Sequence, residues 1–124
     1  MRKTKKQILV VDDEPTWRTI LSRYLSQKGF SVKEAGSGVE ALRSLAKFKP
    51  DLIFSDVRMP DMNGFDLLDS IKKLPKLSAT PVVFLSAIDD YDAKKVAKDL
   101  GAAGYLVKPF DEEEISSVLT KALT

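Results

Sequence analysis

Residues 52–64 read Leu52-Ile53-Phe54-Ser55-Asp56-Val57-Arg58-Met59-Pro60-Asp61-Met62-Asn63-Gly64. A short run of large apolar residues delivers an acid, and a loop of turn formers follows at once. An apolar run of that length, bounded by Asp and Pro, is the pattern of a strand buried on both faces. Runs of the same kind recur at Ile8–Val11, Pro81–Leu85 and Tyr105–Val107. Ser31–Ala35 is a weaker strand, because Lys33 and Glu34 suit a more exposed position. Both-face burial argues for a parallel sheet covered by helices on each side.

Helical patterns fill the gaps. Pro15 suits a first helical turn, and Trp17, Ile20, Leu21, Tyr24 and Leu25 follow at i, i+3, i+4, i+7 and i+8. Gly29 ends that helix. Val39, Leu42, Leu45 and Ala46 repeat the pattern before Lys49-Pro50. Phe65, Leu68, Ile71 and Leu74 form a third face before Pro75. Ala93, Val96, Ala97 and Leu100 form a fourth, closed by Gly101. Asp111 is placed to cap a fifth helix, with Glu112, Glu113 and Glu114 in its first turn and a face of Ile115, Val118, Leu119 and Ala122. The order is strand–helix five times over, in a single α/β domain spanning residues 1–124.

Ligands of such sheets bind at the carboxyl ends of the strands. Asp12-Asp13, Asp56, Ser86 and Lys108-Pro109 all stand there. Each has an ordinary reading when taken alone: a helix-entry acid pair, a turn cap, a solvated hydroxyl, a surface lysine. Four of five strand ends bringing a reactive side chain to one rim favours a site. The 124 residues include no Cys and no His, which removes disulfides, thiol chemistry, imidazole catalysis and most zinc sites. Three converging carboxylates need raised pKa values or a cation. An all-oxygen donor set suits a hard cation, and Mg²⁺ is the natural choice. A carboxylate can attack phosphorus to give an aspartyl-phosphate, with Mg²⁺, the Lys108 ammonium and the Ser86 hydroxyl stabilising the transferred group.

A net charge of +2 gives no ground for nucleic-acid or membrane binding. The basic run Arg2, Lys3, Lys5 and Lys6 reads as a solvated lead-in, and the uncharged run after it, Gln7–Val11, is too short for a signal peptide. The expectation is a cytoplasmic protein.

Asp12-Asp13, Asp56 through Gly64, Ser86-Ala87, Gly101-Ala102, Tyr105 and Lys108-Pro109-Phe110 together resemble the receivers of bacterial two-component response regulators, over about residues 7 to 122. The resemblance implies a flavodoxin-like (βα)5 fold with strand order 2-1-3-4-5. It implies Asp56 as phosphoacceptor, and Asp13, Asp56 and the Arg58 backbone carbonyl as Mg²⁺ ligands, with Asp12 ligating through water or lying close by. It further implies Ser86 and Lys108 as phosphoryl-binding groups, Ser86 and Tyr105 as a switch pair, and a cis Lys108-Pro109 bond. The implied partners are a sensor histidine kinase or phosphotransfer protein upstream and an effector protein or fused output domain downstream. The domain itself would bind no nucleic acid, and would be a monomer or a phosphorylation-dependent dimer. It would catalyse only its own phosphoryl transfer and dephosphorylation. Ala103-Gly104 departs from the acidic pair of winged-helix relatives, and Arg58 and Ile88 fall at positions that vary.

Three other functions compete. A small aspartyl-phosphate hydrolase would carry a second acid as Asp-x-Asp and a cap segment, but Arg58 stands two residues after Asp56. A flavin domain would need a Gly/Ser/Thr-rich loop where Asp12-Asp13-Glu14-Pro15 stands. A degenerate receiver, kept only for docking, would not need the complete acidic set.

Overall fold

The computed structural model describes residues 5–87 and 90–124, which leaves Arg2, Lys3 and Ile88 outside the described residues. The chain alternates strictly: β1 Gln7–Val11, α1 Pro15–Gln27, β2 Ser31–Ala35, α2 Gly38–Leu45, β3 Leu52–Asp56, α3 Gly64–Lys72, β4 Val82–Ala87, α4 Tyr91–Asp99, β5 Gly104–Lys108 and α5 Glu112–Leu123. All neighbouring strands run parallel, in the order β2-β1-β3-β4-β5.

Period-2 alternation divides the strand residues between two cores. Leu9, Val11, Ile53 and Phe84 face α2, α3 and α4, where Leu45, Leu67, Leu68, Ile71, Ala93 and Ala97 meet them. Ile8, Val10, Leu52, Phe54, Val83, Leu85 and Leu106 face α1 and α5, meeting Leu21, Leu25, Ile115 and Leu119. β3 is buried at every position, as its apolar run predicts. β2 lies at the edge with only Ala35 buried, which explains why Lys33 and Glu34 are tolerated.

The termini follow local rules. Pro15 occupies the first turn of α1. Gly29 closes that helix at φ +95°, a conformation costly for any residue with a Cβ. The Asp111 side chain accepts from the Glu114 N–H at 2.8 Å, and the Glu114 carboxylate accepts from the Asp111 N–H at 3.2 Å, a reciprocal capping box.

Some sequence expectations need correction. Ser86, Ala87 and Lys108 are the last residues of their strands rather than the first beyond them, and so is Asp56. Pro81 falls outside β4, which begins at Val82 and extends to Ala87. Ile20, Val39, Val96 and Leu100 leave the helix faces assigned to them and are exposed, and Leu74 lies beyond the end of α3. The cause is geometric. A helix lying on a flat sheet buries a narrow stripe, Leu21–Tyr24–Leu25 in α1 and only Ala93 and Ala97 in α4. Ile20, Val39 and Val96 sit about a hundred degrees to the side and stay in water, whereas Leu100 falls just past the end of α4.

Candidate functional site

Parallel pairing brings the ends of β1, β3, β4 and β5 to one rim. Asp56 pairs with Leu85, and Ala87 with Lys108, so the acceptor candidate and the lysine stand on either side of the end of β4. Asp12 and Asp13 follow β1 directly. One carboxylate oxygen from each of Asp12, Asp13 and Asp56 lies within 4.8 Å of the others. Asp12 and Asp56 are buried and Asp13 is partly exposed.

Lys108 enters this cluster from β5 and is itself buried. Its Nζ lies 2.9 Å from Asp12 Oδ2, 3.5 Å from Asp56 Oδ2 and 2.6 Å from Glu14 Oε1. The contact to Asp12 is an ion pair without hydrogen-bond alignment, and among the described residues Asp12 Oδ2 receives no hydrogen bond. The other oxygen, Asp12 Oδ1, accepts from the Glu14 N–H at 2.9 Å and fixes the turn into α1.

One ammonium does not balance this much acid. Burial pushes the Asp56 carboxyl up to about 8, the Asp12 charge pushes the same way, and Lys108 only partly offsets them. Lys108 is raised above its ordinary value: burial opposes its charge, but Glu14, Asp12 and Asp56 together outweigh burial. Three gathered carboxylates that one ammonium does not balance, offering an all-oxygen donor set, fit a small hard cation. Asp12, Asp13 and Asp56 are the side chains that could hold Mg²⁺.

The loop after Asp56 holds that carboxylate at the rim. Asn63 caps α3 by accepting from the Asp66 N–H at 2.9 Å, and the Gly64 N–H donates to the Val57 carbonyl at 2.8 Å. This draws Gly64 against the backbone of Asp56, where an added Cβ would collide with the Asp56 carbonyl oxygen. Gly64→Ala should therefore destabilise the fold by about 1–3 kcal/mol, read as a lower denaturant midpoint at unchanged slope. An unchanged midpoint would mean that the loop relaxes freely.

Ser86 is buried, and among the described residues its Oγ makes only a long 3.4 Å bond to the Ala87 carbonyl. Tyr105 pairs with Phe84, two residues before Ser86, so Tyr105 and Ser86 share one face of the sheet. Burial pushes the Tyr105 phenol up, while the nearby Ser86 hydroxyl acts in the opposite direction. The Tyr105 hydroxyl nevertheless has no well-aligned hydrogen-bond partner among the described residues. The Lys108-Pro109 bond is cis, as the resemblance implies.

The open side of the site is a cleft of about 270 Å³ bordered by Glu14, Trp17, Asp56, Arg58, Ala87 and Lys108. Trp17 stands at its edge against Phe110, with ring centroids 4.8 Å apart. Two features of the rim stand outside the residues singled out from the sequence. Glu14 is the closest partner of Lys108; the run Asp12-Asp13-Glu14 carried that signal. Arg58 turns its guanidinium to Asp90, with Nε 2.9 Å from Oδ2 and Nη2 3.2 Å from Oδ1, a pairing that bridges two loops and has no local signature.

Comparison with known proteins accords with this geometry. The sensory transduction protein LytT of Enterococcus faecalis is 43% identical over 117 residues, covering 93% of this chain and 47% of that protein. The DNA-binding transcriptional regulator NtrC of Escherichia coli is 38% identical over 117 residues, covering 94% of this chain and 24% of that protein. The chain thus spans about half the length, or less, of the curated relatives it matches. Among solved structures, the chemotaxis response regulator CheY4 of Vibrio cholerae superposes with a TM-score of 0.89 at 35% identity, covering 97% of this chain and 100% of that one. Residues 8–120 match the response regulator receiver domain, and the chain belongs to that family.

Proposed function

We propose that residues 1–124 form one receiver domain that accepts a phosphoryl group on Asp56 and switches a protein-binding face in response. The observation that carries this reading is the gathering of Asp12, Asp13 and Asp56 within 4.8 Å, with Lys108 reaching two of them. A bound Mg²⁺ would supply the charge that lets these carboxylates ionise together and would neutralise phosphoryl oxygens. Asp13, Asp56 and the Arg58 carbonyl would hold it, with Asp12 beside them.

The chemistry belongs to Asp56. One of its oxygens attacks the phosphorus of a phosphorylated donor, forming an O–P bond as the bond from phosphorus to the donor breaks. The donor is the phosphohistidine of a sensor kinase or phosphotransfer protein. Lys108 meets the transferred group as a point charge, and the Ser86 hydroxyl donates to one of its oxygens. Hydrolysis of the same O–P bond by water resets the domain.

The output follows from Ser86. As its hydroxyl moves toward the phosphoryl oxygens, space opens beside Tyr105 on the same sheet face, and Tyr105 moves in. The surface of α4, β5 and α5 then changes shape, shifting a pre-existing equilibrium that an effector protein or a fused output domain can read. No helix among the described residues is long and apolar enough to cross a membrane, which accords with a cytoplasmic signalling role.

Beryllofluoride with Mg²⁺, read by amide NMR in wild type and Ser86→Ala, tests the switch. Wild type should shift at Asp13, Asp56 and Lys108 and also at Tyr105 and α4. Ser86→Ala should keep the first set and lose most of the second. Shifts confined to the site in wild type would leave a binding module without a switch, and a full response in Ser86→Ala would remove Ser86 from the coupling.

A further inference from the structure

The rim that carries the chemistry is acidic, whereas an open groove bordered by lysines lies toward the opposite end of the sheet. The groove lies between the C-terminal ends of α2 and α3, has a volume of about 890 Å³, and is floored by Leu42, Leu45, Phe48, Leu74 and Leu77. Leu45 and Leu77 are almost fully buried while Leu74 is 41% exposed, so the apolar surface is recessed at its floor and open at its lip. Lys47, Lys49 and Lys76 border it, and none of its lining residues is acidic. Lys33 adds a fourth ammonium, 4.6 Å from the centre of the Phe48 ring. Asp69, on α3, is taken by Lys73 at 3.1 Å.

Two helix C-termini favour nearby cations, which accounts for some of the lysines but not for the open apolar floor. An apolar concavity ringed by one sign of charge is the arrangement of a recognition groove. We propose that this groove docks an acidic segment of a partner protein, its large apolar side chains seated on Leu42, Phe48 and Leu74 and its carboxylates meeting Lys47, Lys49 and Lys76. An anionic lipid surface would suit the lysines but not a recessed floor, since a membrane needs apolar side chains that protrude. The groove shares no lining residue with the Asp56 cleft, and the docking stands or falls independently of the phosphoryl reading.

The probe is a synthetic amphipathic helix with leucines at i, i+3, i+4 and i+7 and glutamates elsewhere, titrated into the ¹⁵N-labelled protein. Amides in residues 42–49 and 70–77 should shift. Lys47→Glu with Lys76→Glu, both exposed, should weaken binding by ~10-fold or more while leaving acetyl phosphate labelling intact. Leu74→Asp should weaken it independently. Equal binding of the same helix carrying lysines for glutamates, or shifts elsewhere on the domain, would overturn the proposal. So would binding to phosphatidylglycerol vesicles without peptide binding, which would make the occupant a membrane. Shifts of these amides on raising protein concentration alone would make it a second copy of the chain and overturn it as well.

Discussion

Asp56→Asn, incubated with acetyl phosphate and Mg²⁺, should gain no phosphoryl mass where wild type gains one. The loss should exceed ~100-fold, because an amide oxygen carries no anionic lone pair with which to attack phosphorus. The geometry makes Asp56 the specific target. It ends β3 at the centre of the rim, it lies within reach of Asp12 and Asp13, and Lys108 is 3.5 Å from its Oδ2. Lys108→Ala should slow labelling without abolishing it, by on the order of 10²-fold, since it removes one positioned charge and leaves the nucleophile. The Asn variant carries its own control for folding. It removes one member of a crowded acidic cluster, so above pH 8 and without Mg²⁺ it should melt at a higher temperature than wild type. A labelled Asn variant would place the acceptor elsewhere; an unlabelled one that is also unfolded would be betrayed by its melting curve.

The residues that decide this chemistry were legible because each stands next to a strong local pattern. Four strands announce themselves as apolar runs, although β5, at the second edge of the sheet, is buried only at Leu106 and Lys108 and not along its whole run; reading the residue at each strand's carboxyl end retrieves Asp12, Asp13, Asp56, Ser86 and Lys108 without any knowledge of pairing. The strand order was not legible in this way. A run such as Leu52–Phe54 shows that β3 is buried on both faces, but not which strands lie beside it; the order came from the resemblance and is observed. Rim contacts were hidden for a related reason. Asp61 accepts from the Gly38 and Val39 N–H groups at 3.2 and 2.8 Å and so ties the loop after Asp56 to the start of α2. These two bonds join residues more than twenty apart through a flexible acid, and no period or spacing encodes them. Helix faces are narrower than periodicity suggests in the same sense: the pattern finds an apolar stripe, while contact with the sheet beneath decides how much of it is covered. Ile20 and Val39 are exposed on that account.

Mg²⁺ affinity should rise with pH, by up to ~10-fold per unit below pH 8, and then level off. Without metal the Asp56 carboxyl is held up to about 8, by burial first and by Asp12 second. A cation that needs the ionised carboxylate must displace that proton, so proton and metal compete for one site. The same proton sets the stability of the metal-free fold. In the unfolded chain an aspartate ionises near 4. Below that pH both states hold the proton and nothing is lost. Between about 4 and about 8 the unfolded chain releases it and the folded chain keeps it, so this group's contribution to stability falls as pH rises. Asp61 acts oppositely: backbone N–H groups, that of Val39 foremost, hold it below its ordinary value, and the stability it contributes disappears only as pH falls into the acid range. Asp90, held low by Arg58, behaves alike. Neither contributes a slope above pH 5, so the decline from pH 5 to 8 reports Asp56. Saturating Mg²⁺ should remove that decline, because the native state then holds Asp56 ionised as well, and Asp56→Asn should remove it without metal. Calorimetric titrations at pH 6, 7 and 8, paired with melting curves at the same pH values, separate the outcomes. A flat Mg²⁺ affinity would mean that the metal does not contact Asp56. A rising affinity that persists in Asp56→Asn would mean that the competing proton sits on Asp12 or Asp13 instead, and that the crowding of the three carboxylates is relieved at a different member of the cluster.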